Sequence, residues 1–288
     1  MDAVAVFAEE RPKLFGVAYR MLGSVADAED VIQETFLRWQ EVMDAGTAVE
    51  SPSAYLTTMV SRRCLDELRS ARRRREEYVG EWLPEPLLED DRLDPAATTE
   101  LADSLSTAFL VVLEALSPGE RAAFLLHDVF GYEYAELARI LGRGEPACRQ
   151  LVARARRRVA ERRPRFDVSP EVHARLLNEF MYAATAGDVD GLVSLLAQDA
   201  VLTADGGGVV TAARNPIAGA DRIARWSIGV LEKTQWNVSF EVATVNGLPG
   251  AVMRVDGTIY GVMSIEVRDG KIQNVYIQVN PAKLPPHS

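Results

Sequence analysis

YAELARILGRGEPACRQLVARARRRVA, residues 134–160, is the stretch that decides the fold of the chain's middle. Tyr134, Leu137, Ala138 and Leu141 line one face of a short helix, and Gly142 stops it. Gly142-Arg143-Gly144 makes a tight turn. From Glu145 a second helix sets Cys148, Val152, Ala155 and Val159 at i, i+4, i+7 and i+11, so these face inward. Arg149, Gln150, Ala153, Arg154 and Arg156 are left outward. A short helix, a glycine turn and an arginine-rich helix form the helix-turn-helix pattern, whose second helix enters the major groove. Arg forks to guanine, Gln to adenine, and a small Ala meets a thymine methyl. Arg157, Arg158 and Arg162 fall where phosphates run.

Working outward, Ser117-Pro118-Gly119-Glu120 reads as a capping box with Pro at the first helical position. Leu101, Leu105, Ala108, Phe109, Val112, Leu113 and Leu116 form the apolar stripe before it. Residues 1–75 also read as helices. Ala5, Leu14, Ala18, Met21 and Leu22 share one face, and Ala28, Val31, Ile32, Thr35, Phe36 and Trp39 another. Ser51-Pro52 opens a third helix, with Tyr55, Met59, Arg63 and Asp66 at helical spacing. Residues 76–100 lose periodicity, carry Pro84, Pro86 and Pro95, and read as a linker.

Net charge is −10, which argues against general affinity for nucleic acid. The distribution argues otherwise. Seven arginines against two acids fall within 61–75, eight against two within 145–165, and ten acids against one arginine within 76–103. Arg62, Arg63, Arg69 and Arg72 to Arg75, with Tyr55 and Tyr78 nearby, suit single-stranded DNA, where exposed bases stack on aromatic rings. The plainer reading is a helix end whose arginines complement the dipole. The N-terminus lacks the basic start of a signal peptide, and no run reaches the ~20 apolar residues of a membrane helix. Two cysteines, Cys64 and Cys148, and three histidines match no metal spacing. The expectation is a cytoplasmic protein with no membrane partner, metal or cofactor.

From residue 168 the texture changes. An amphipathic helix over 172–186 and a short helix after Gly187-Asp188 precede strand-like runs at 201–203, 209–211, 236–245, 251–255, 258–267 and 272–279. Asn246-Gly247, Asp256-Gly257 and Asp269-Gly270 punctuate them as hairpin turns. This predicts a separate α+β domain with a curved antiparallel sheet.

Three motifs in order resemble the extracytoplasmic-function sigma factors. Asp27 to Trp39 (DAEDVIQETFLRW) is close to that family's region-two signature. Ser51 to Leu56 through Leu65 to Arg69 resembles its promoter-melting helix, and Leu116 to Arg121 through Arg156 resembles its region four. The resemblance implies that Asp27, Asp30, Gln33, Glu34, Leu37 and Trp39 meet the clamp helices of the RNA polymerase large subunit, with region four on the flap. It implies that Tyr55, Arg62, Arg63, Asp66, Arg69, Arg73 and Arg74 read the unwound −10 element, with a flipped base held in a pocket. The −35 element falls to Arg149, Gln150, Ala153, Arg154, Arg156 and Arg158. Arg62 stands where many relatives carry Asn. Glu85, Glu89, Asp90, Asp91 and Asp94 of the linker are candidates to mimic nucleic-acid charge in the polymerase cleft.

The C-terminal part is similar to SnoaL-like members of the nuclear-transport-factor-two superfamily, cones of helices on a curved sheet. Trp82, Leu83 and Pro84 (within WLPEP), Asp205, Gly206, Gly207 and Gly208, and Asn280, Pro281, Lys283 and Leu284 resemble motifs of one sigma subgroup with this extension, and are the candidate interdomain residues. Val209 replaces a usual basic residue. Residues 1–75 are thus expected to be region two, 76–100 an acidic linker, 101–165 region four and 168–288 a regulatory cone. For a pocket in the cone, Asp205, Asp199 and Arg225 are candidate polar groups and Tyr260 and Trp236 candidate walls. Turn chemistry explains Asp205 equally well, so the cone is expected to dock or sense a small ligand rather than catalyse. The rivals are a one-component DNA-binding regulator that never engages polymerase, and an enzyme fused to DNA-binding helices.

Overall fold

The helix starts and hairpin turns written in the sequence organise two compact units, the first spanning 1–76, 90–105 and 112–163, the second 77–89, 106–111 and 164–288. The structure, a computed structural model, describes residues 2–76, 78–88, 104–162, 168–234 and 237–285, with the backbone alone described at 71–76, 162 and 234.

In the first unit, helix α1 (Ala3–Leu22) starts on Asp2, whose carboxylate accepts from the amides of Val4 and Ala5, and ends at Gly23 in the left-handed region. Helix α2 (Val25–Asp44) starts on Ser24, which accepts from the Asp27 amide. It buries Ala28, Val31, Ile32, Thr35 and Trp39 at the expected spacing. Helix α3 (Pro52–Glu76) buries Leu56, Val60, Cys64 and Leu68, so its core stripe lies one position beyond the Tyr55-Met59-Arg63 row. Burial pushes the Cys64 thiol up, which keeps it a protonated core residue.

After helix α4 (Thr107–Glu114), helix α5 (Pro118–Phe124) starts on the anticipated capping box: Ser117 Oγ accepts from the Glu120 amide, and the Glu120 carboxylate accepts from the Ser117 amide. A π turn (Leu125–Val129) follows, then helices α6 (Tyr134–Leu141) and α7 (Glu145–Arg162). The helices assigned to regions two and four pack into this one unit. Buried Arg121 of α5 donates to Met21 O at the end of α1 (2.8 Å) and to Glu114 (2.7 Å). Burial pulls its guanidinium down to about 9. Tyr132 donates to Thr57 of α3 (2.9 Å).

In the second unit, helices α8 (Pro170–Ala186), α9 (Val189–Leu195) and α10 (Ala220–Thr234) cover one face of a sheet ordered β2-β1-β6-β5-β4-β3. The strands are β1 (Leu196–Asp205), β2 (Ile217–Ala218), β3 (Val238–Val245), β4 (Leu248–Val255), β5 (Thr258–Arg268) and β6 (Lys271–Gln278). The pairings are antiparallel except β1 with β6, which is parallel. The three hairpin turns form where expected, with Asn246, Asp256 and Asp269 at positive φ before glycine.

Two readings are corrected. Residues 209–211 are not a strand, because Gly207 and Gly208 turn the chain at positive φ and the amides of Val209 and Val210 both donate back to Gly206 O. Helix α10 stands where no helix was expected, although Ile223, Ala224, Ser227, Ile228 and Leu231 keep helical spacing. The core lies between helices and sheet, around Leu177, Leu192, Leu202, Ile223, Ile265 and Val275.

Candidate nucleic-acid interface

Helix α7 presents the face the sequence promised. Cys148, Val152, Ala155 and Val159 are buried, with Leu151 beside them, while Arg149, Gln150, Ala153, Arg154, Arg156, Arg157 and Arg158 are exposed. Several arginines are already held. Arg149 stacks over Tyr134 (4.1 Å) and pairs with Glu145 (3.2 Å). Arg154 and Arg158 flank Glu120 at 3.2 and 2.7 Å. Burial pulls the Glu120 carboxyl up, but Ser117 and the two arginines outweigh it and leave it below the usual range. Arg156 forks onto Asp128 of the π turn. Glu120, anticipated only as a capping residue, and Asp128, which sequence reasoning did not single out, therefore set the direction of three outward arginines. Gln150 and Ala153 sit with Arg149 in the helix's N-terminal half, the part that meets base edges in helix-turn-helix proteins generally.

Of the candidate residues on α2, Asp30, Gln33 and Leu37 are exposed, with Asp27 and Glu34 half-buried. Leu37, 54% exposed, places an apolar side chain on that same face. Trp39 departs from its expected role: it is fully buried, and its indole N–H donates to Ala3 O (2.9 Å), so it supports α2 from within.

On α3, Tyr55 is exposed with its ring 6.1 Å from that of Trp39. Arg63 is taken up by Glu34 and Glu67, and Asp66 pairs with Arg69 (2.9 Å). Arg62 is spent differently. Its Nε donates to Ile140 O (3.0 Å) and its Nη2 to Arg139 O (2.8 Å), capping the C-terminal end of α6. Replacing it with Ala should leave those carbonyls to water and lower stability by about 1 kcal/mol, a fall of about 2–4 °C in the thermal midpoint. An unchanged melting curve would remove this tie from the account. The side chains of Arg73 and Arg74, and of Arg72 and Arg75, lie outside the described residues, as do Leu101 and residues 89–94 of the acidic run.

In the second unit the described part of the linker is not a free spacer. Residues 78–88 lie on the sheet, with Leu83 packed against Tyr276 and Ala108, and Leu88 bridged to Val245. At the centre is Asp205, 0% exposed at the end of β1. Its carboxylate accepts from Tyr78 OH (2.6 Å), the Leu83 amide (2.9 Å), the Gly207 amide (3.0 Å), Gln278 Nε2 (3.2 Å) and Lys283 Nζ (2.7 Å). Lys283 also donates to Leu83 O (2.8 Å) and lies over the Trp82 ring (4.2 Å). Asn280 donates to Tyr78 OH (2.8 Å).

The glycines make room for this clasp. A Cβ on Gly207 would lie 2.5 Å from the Asn280 side chain, and one on Gly208 2.9 Å from Val79 Cβ. Three separated motifs, WLPEP, the glycine loop and the tail, thus form one cluster. Tyr78, read as a base-stacking ring, belongs to it instead. Asn246 adds a second grip: its amide donates to Leu87 O (2.8 Å), and its Oδ1 accepts from the Leu87 amide (3.3 Å). Asp199 and Arg225 are exposed and pair with Gln273 and Asp221, and neither lines the cavity between helices and sheet; Trp236 lies outside the described residues. Among the described residues no acid, His and Cys cluster could hold a metal, and no helix is long and apolar enough to cross a membrane.

Comparison with known proteins agrees with this geometry. Residues 6–74 match Sigma-70 region 2, and residues 106–159 match Sigma-70, region 4. The chain is 41% identical to ECF RNA polymerase sigma factor SigJ of Mycobacterium tuberculosis, over 98% of this chain and 93% of that protein. It is 32% identical to the probable ECF RNA polymerase sigma factor SigI of the same organism, over 98% and 94%. The crystal structure of Mycobacterium tuberculosis SigJ aligns with a TM-score of 0.76 at 38% identity, covering 97% of each chain. Such identity across nearly the whole of both chains, with both sigma regions in order, means that this chain belongs to the extracytoplasmic-function family of RNA polymerase sigma factors.

Proposed function

We propose that this sigma factor is regulated in cis by its C-terminal cone, which holds the segment joining the two sigma regions. The chain is an initiation factor that binds RNA polymerase, and sigma factors are not an enzyme class. In our reading it works in the cytoplasm. The Asp30-Gln33-Leu37 face of α2 docks on the clamp helices of the large subunit, and region four meets the flap. Helix α7 reads the −35 element through Arg149, Gln150, Ala153, Arg154 and Arg156, with Arg158 on a neighbouring phosphate. Helix α3 meets the −10 element through Tyr55, Arg63, Asp66 and Arg69, and Arg62 joins once released from α6.

The observation that carries the regulatory reading is the Asp205 clasp. A buried carboxylate spends its acceptors on the linker amide of Leu83, on Tyr78 and on the tail Lys283. The test is run-off transcription with purified core polymerase, comparing the full chain with truncations after Phe166 and after Val279. The shorter form lacks the cone and the longer lacks only the tail; equal activity in all three would refute regulation by the cone.

A base-reading test accompanies it. Arg149→Ala should cost about 1–3 kcal/mol and relax preference at one base pair of the −35 element. Arg158→Ala should weaken binding evenly across promoters. The same uniform loss from both changes, measured by binding to a promoter library, would reject the base-reading assignment.

A further inference from the structure

Between helices and sheet of the second unit lies a cavity of about 400 Å³. Phe180, Trp226, Phe240 and Tyr260 supply rings to it, and Met181, Met253 and Met263 supply thioethers. Among its lining residues are no carboxylate and no imidazole; Lys233 is the charged group, exposed on its own side chain. Ser227 also lines it, nine-tenths buried, and its hydroxyl oxygen has no hydrogen-bond partner among the described residues. Tyr260 contributes a phenol that burial pushes up, so it stays a neutral hydroxyl. A space of this size, walled by aromatic rings and sulfur with a few hydroxyls, is the composition of a small-molecule site. Rings and thioethers favour a flat π surface over a flexible chain, which would also lose rotor entropy.

The cavity also shares its strands with the clasp. Along β1, Ala204 faces the cavity and Asp205 the linker. Along β6 and its continuation, Ile277 and Val279 face the cavity, while Tyr276 and Gln278 meet Leu83 on the opposite side. Successive residues of a strand point to opposite faces, so an occupant bearing on Ala204, Ile277 and Val279 bears directly on the backbone that carries Asp205 and Gln278.

We propose that the cavity is a receptor site for a planar, largely hydrocarbon molecule carrying a hydroxyl or ketone, and that its occupancy is transmitted through β1 and β6 to the Asp205 clasp. The transmission rests on the regulatory reading above; the binding does not.

The test uses the full chain and 1-hydroxypyrene, a planar polycycle with one hydroxyl, followed by its own fluorescence. Saturable binding is expected. It should weaken at least ~10-fold in Val230→Trp, which blocks the half-exposed mouth, and in Ala184→Phe, which fills the interior, with thermal midpoints confirming that each variant folds. Ser227→Ala should lose about three- to ten-fold, the worth of one hydrogen bond. Hydrogen exchange over residues 78–88 should change on adding 1-hydroxypyrene to the unmodified chain and not to Val230→Trp. Absence of saturable binding, binding untouched by both blocking variants, or preference for decanoate over 1-hydroxypyrene would overturn the receptor site. Saturable binding with unchanged exchange at 78–88 would overturn the transmission, while the clasp itself is judged separately by Asp205 variants without any probe.

Discussion

Asp205→Ala is expected to free residues 78–88 from the sheet. The substitution removes the acceptor for Tyr78, the Leu83 amide, the Gly207 amide and Gln278 at once, and leaves the Lys283 ammonium, 13% exposed, without its counter-ion. Breaking a buried pair from one side costs about 3–5 kcal/mol, because the remaining charge stays desolvated. Hydrogen exchange of 78–88 should rise towards that of an unprotected segment, and the unfolding transition of the cone should move down. Lys283→Met should cost less, since four donors still face the carboxylate. Asp205→Leu with Lys283→Met should recover part of the loss, as apolar replacement of a buried pair often does. Exchange over 78–88 that stays at the level of the unmodified chain in Asp205→Ala would sink the clasp as the device that holds the linker.

The pair Asp30→Ala and Gln33→Ala is expected to weaken binding to core polymerase by about 100-fold or more, the scale of two hot-spot truncations. Both side chains are exposed on α2, opposite the buried stripe of Ala28, Val31, Ile32, Thr35 and Trp39. Exposed changes of this kind alter stability by only about 0.5 kcal/mol, so the fold should persist. Leu37→Ala should deepen the loss, because Leu37 is an apolar side chain left at the surface of that same face. Trp39 offers no such test: fully buried and bonded to Ala3 O, its removal would damage the helical unit before any interface. Intact affinity for core polymerase in the folded double variant, by gel filtration or surface binding, would move the docking face elsewhere on the unit.

The sequence alone determined the elements whose causes are local. Ser24, Ser117 and Gly142 mark helix ends because a side-chain oxygen or a left-handed glycine satisfies the orphan backbone groups within a few residues. Asn246-Gly247, Asp256-Gly257 and Asp269-Gly270 mark hairpins because positive φ is cheap there. The inward face of α7 follows from its period, so the helix-turn-helix and its outward arginines were legible before any coordinate. Helix α10 was equally periodic, but its proximity to strand-like runs hid it.

The motifs of the clasp were visible as words, and what joins them was not. Tertiary structure decided that Tyr78, Leu83, Asp205, Gln278 and Lys283 meet, that Arg62 is spent on carbonyls of α6, that β1 runs parallel to β6, and that a cavity backs the clasp. Asp205 and Leu83 lie 122 residues apart, and Arg62 and Ile140 lie 78 apart. A turn or cap repays a few fixed dihedrals at once, so its residues can be recognised where they stand. A long-range contact is repaid only after the chain between has been ordered, so its partners are chosen by the packing of whole elements and leave no period in the sequence.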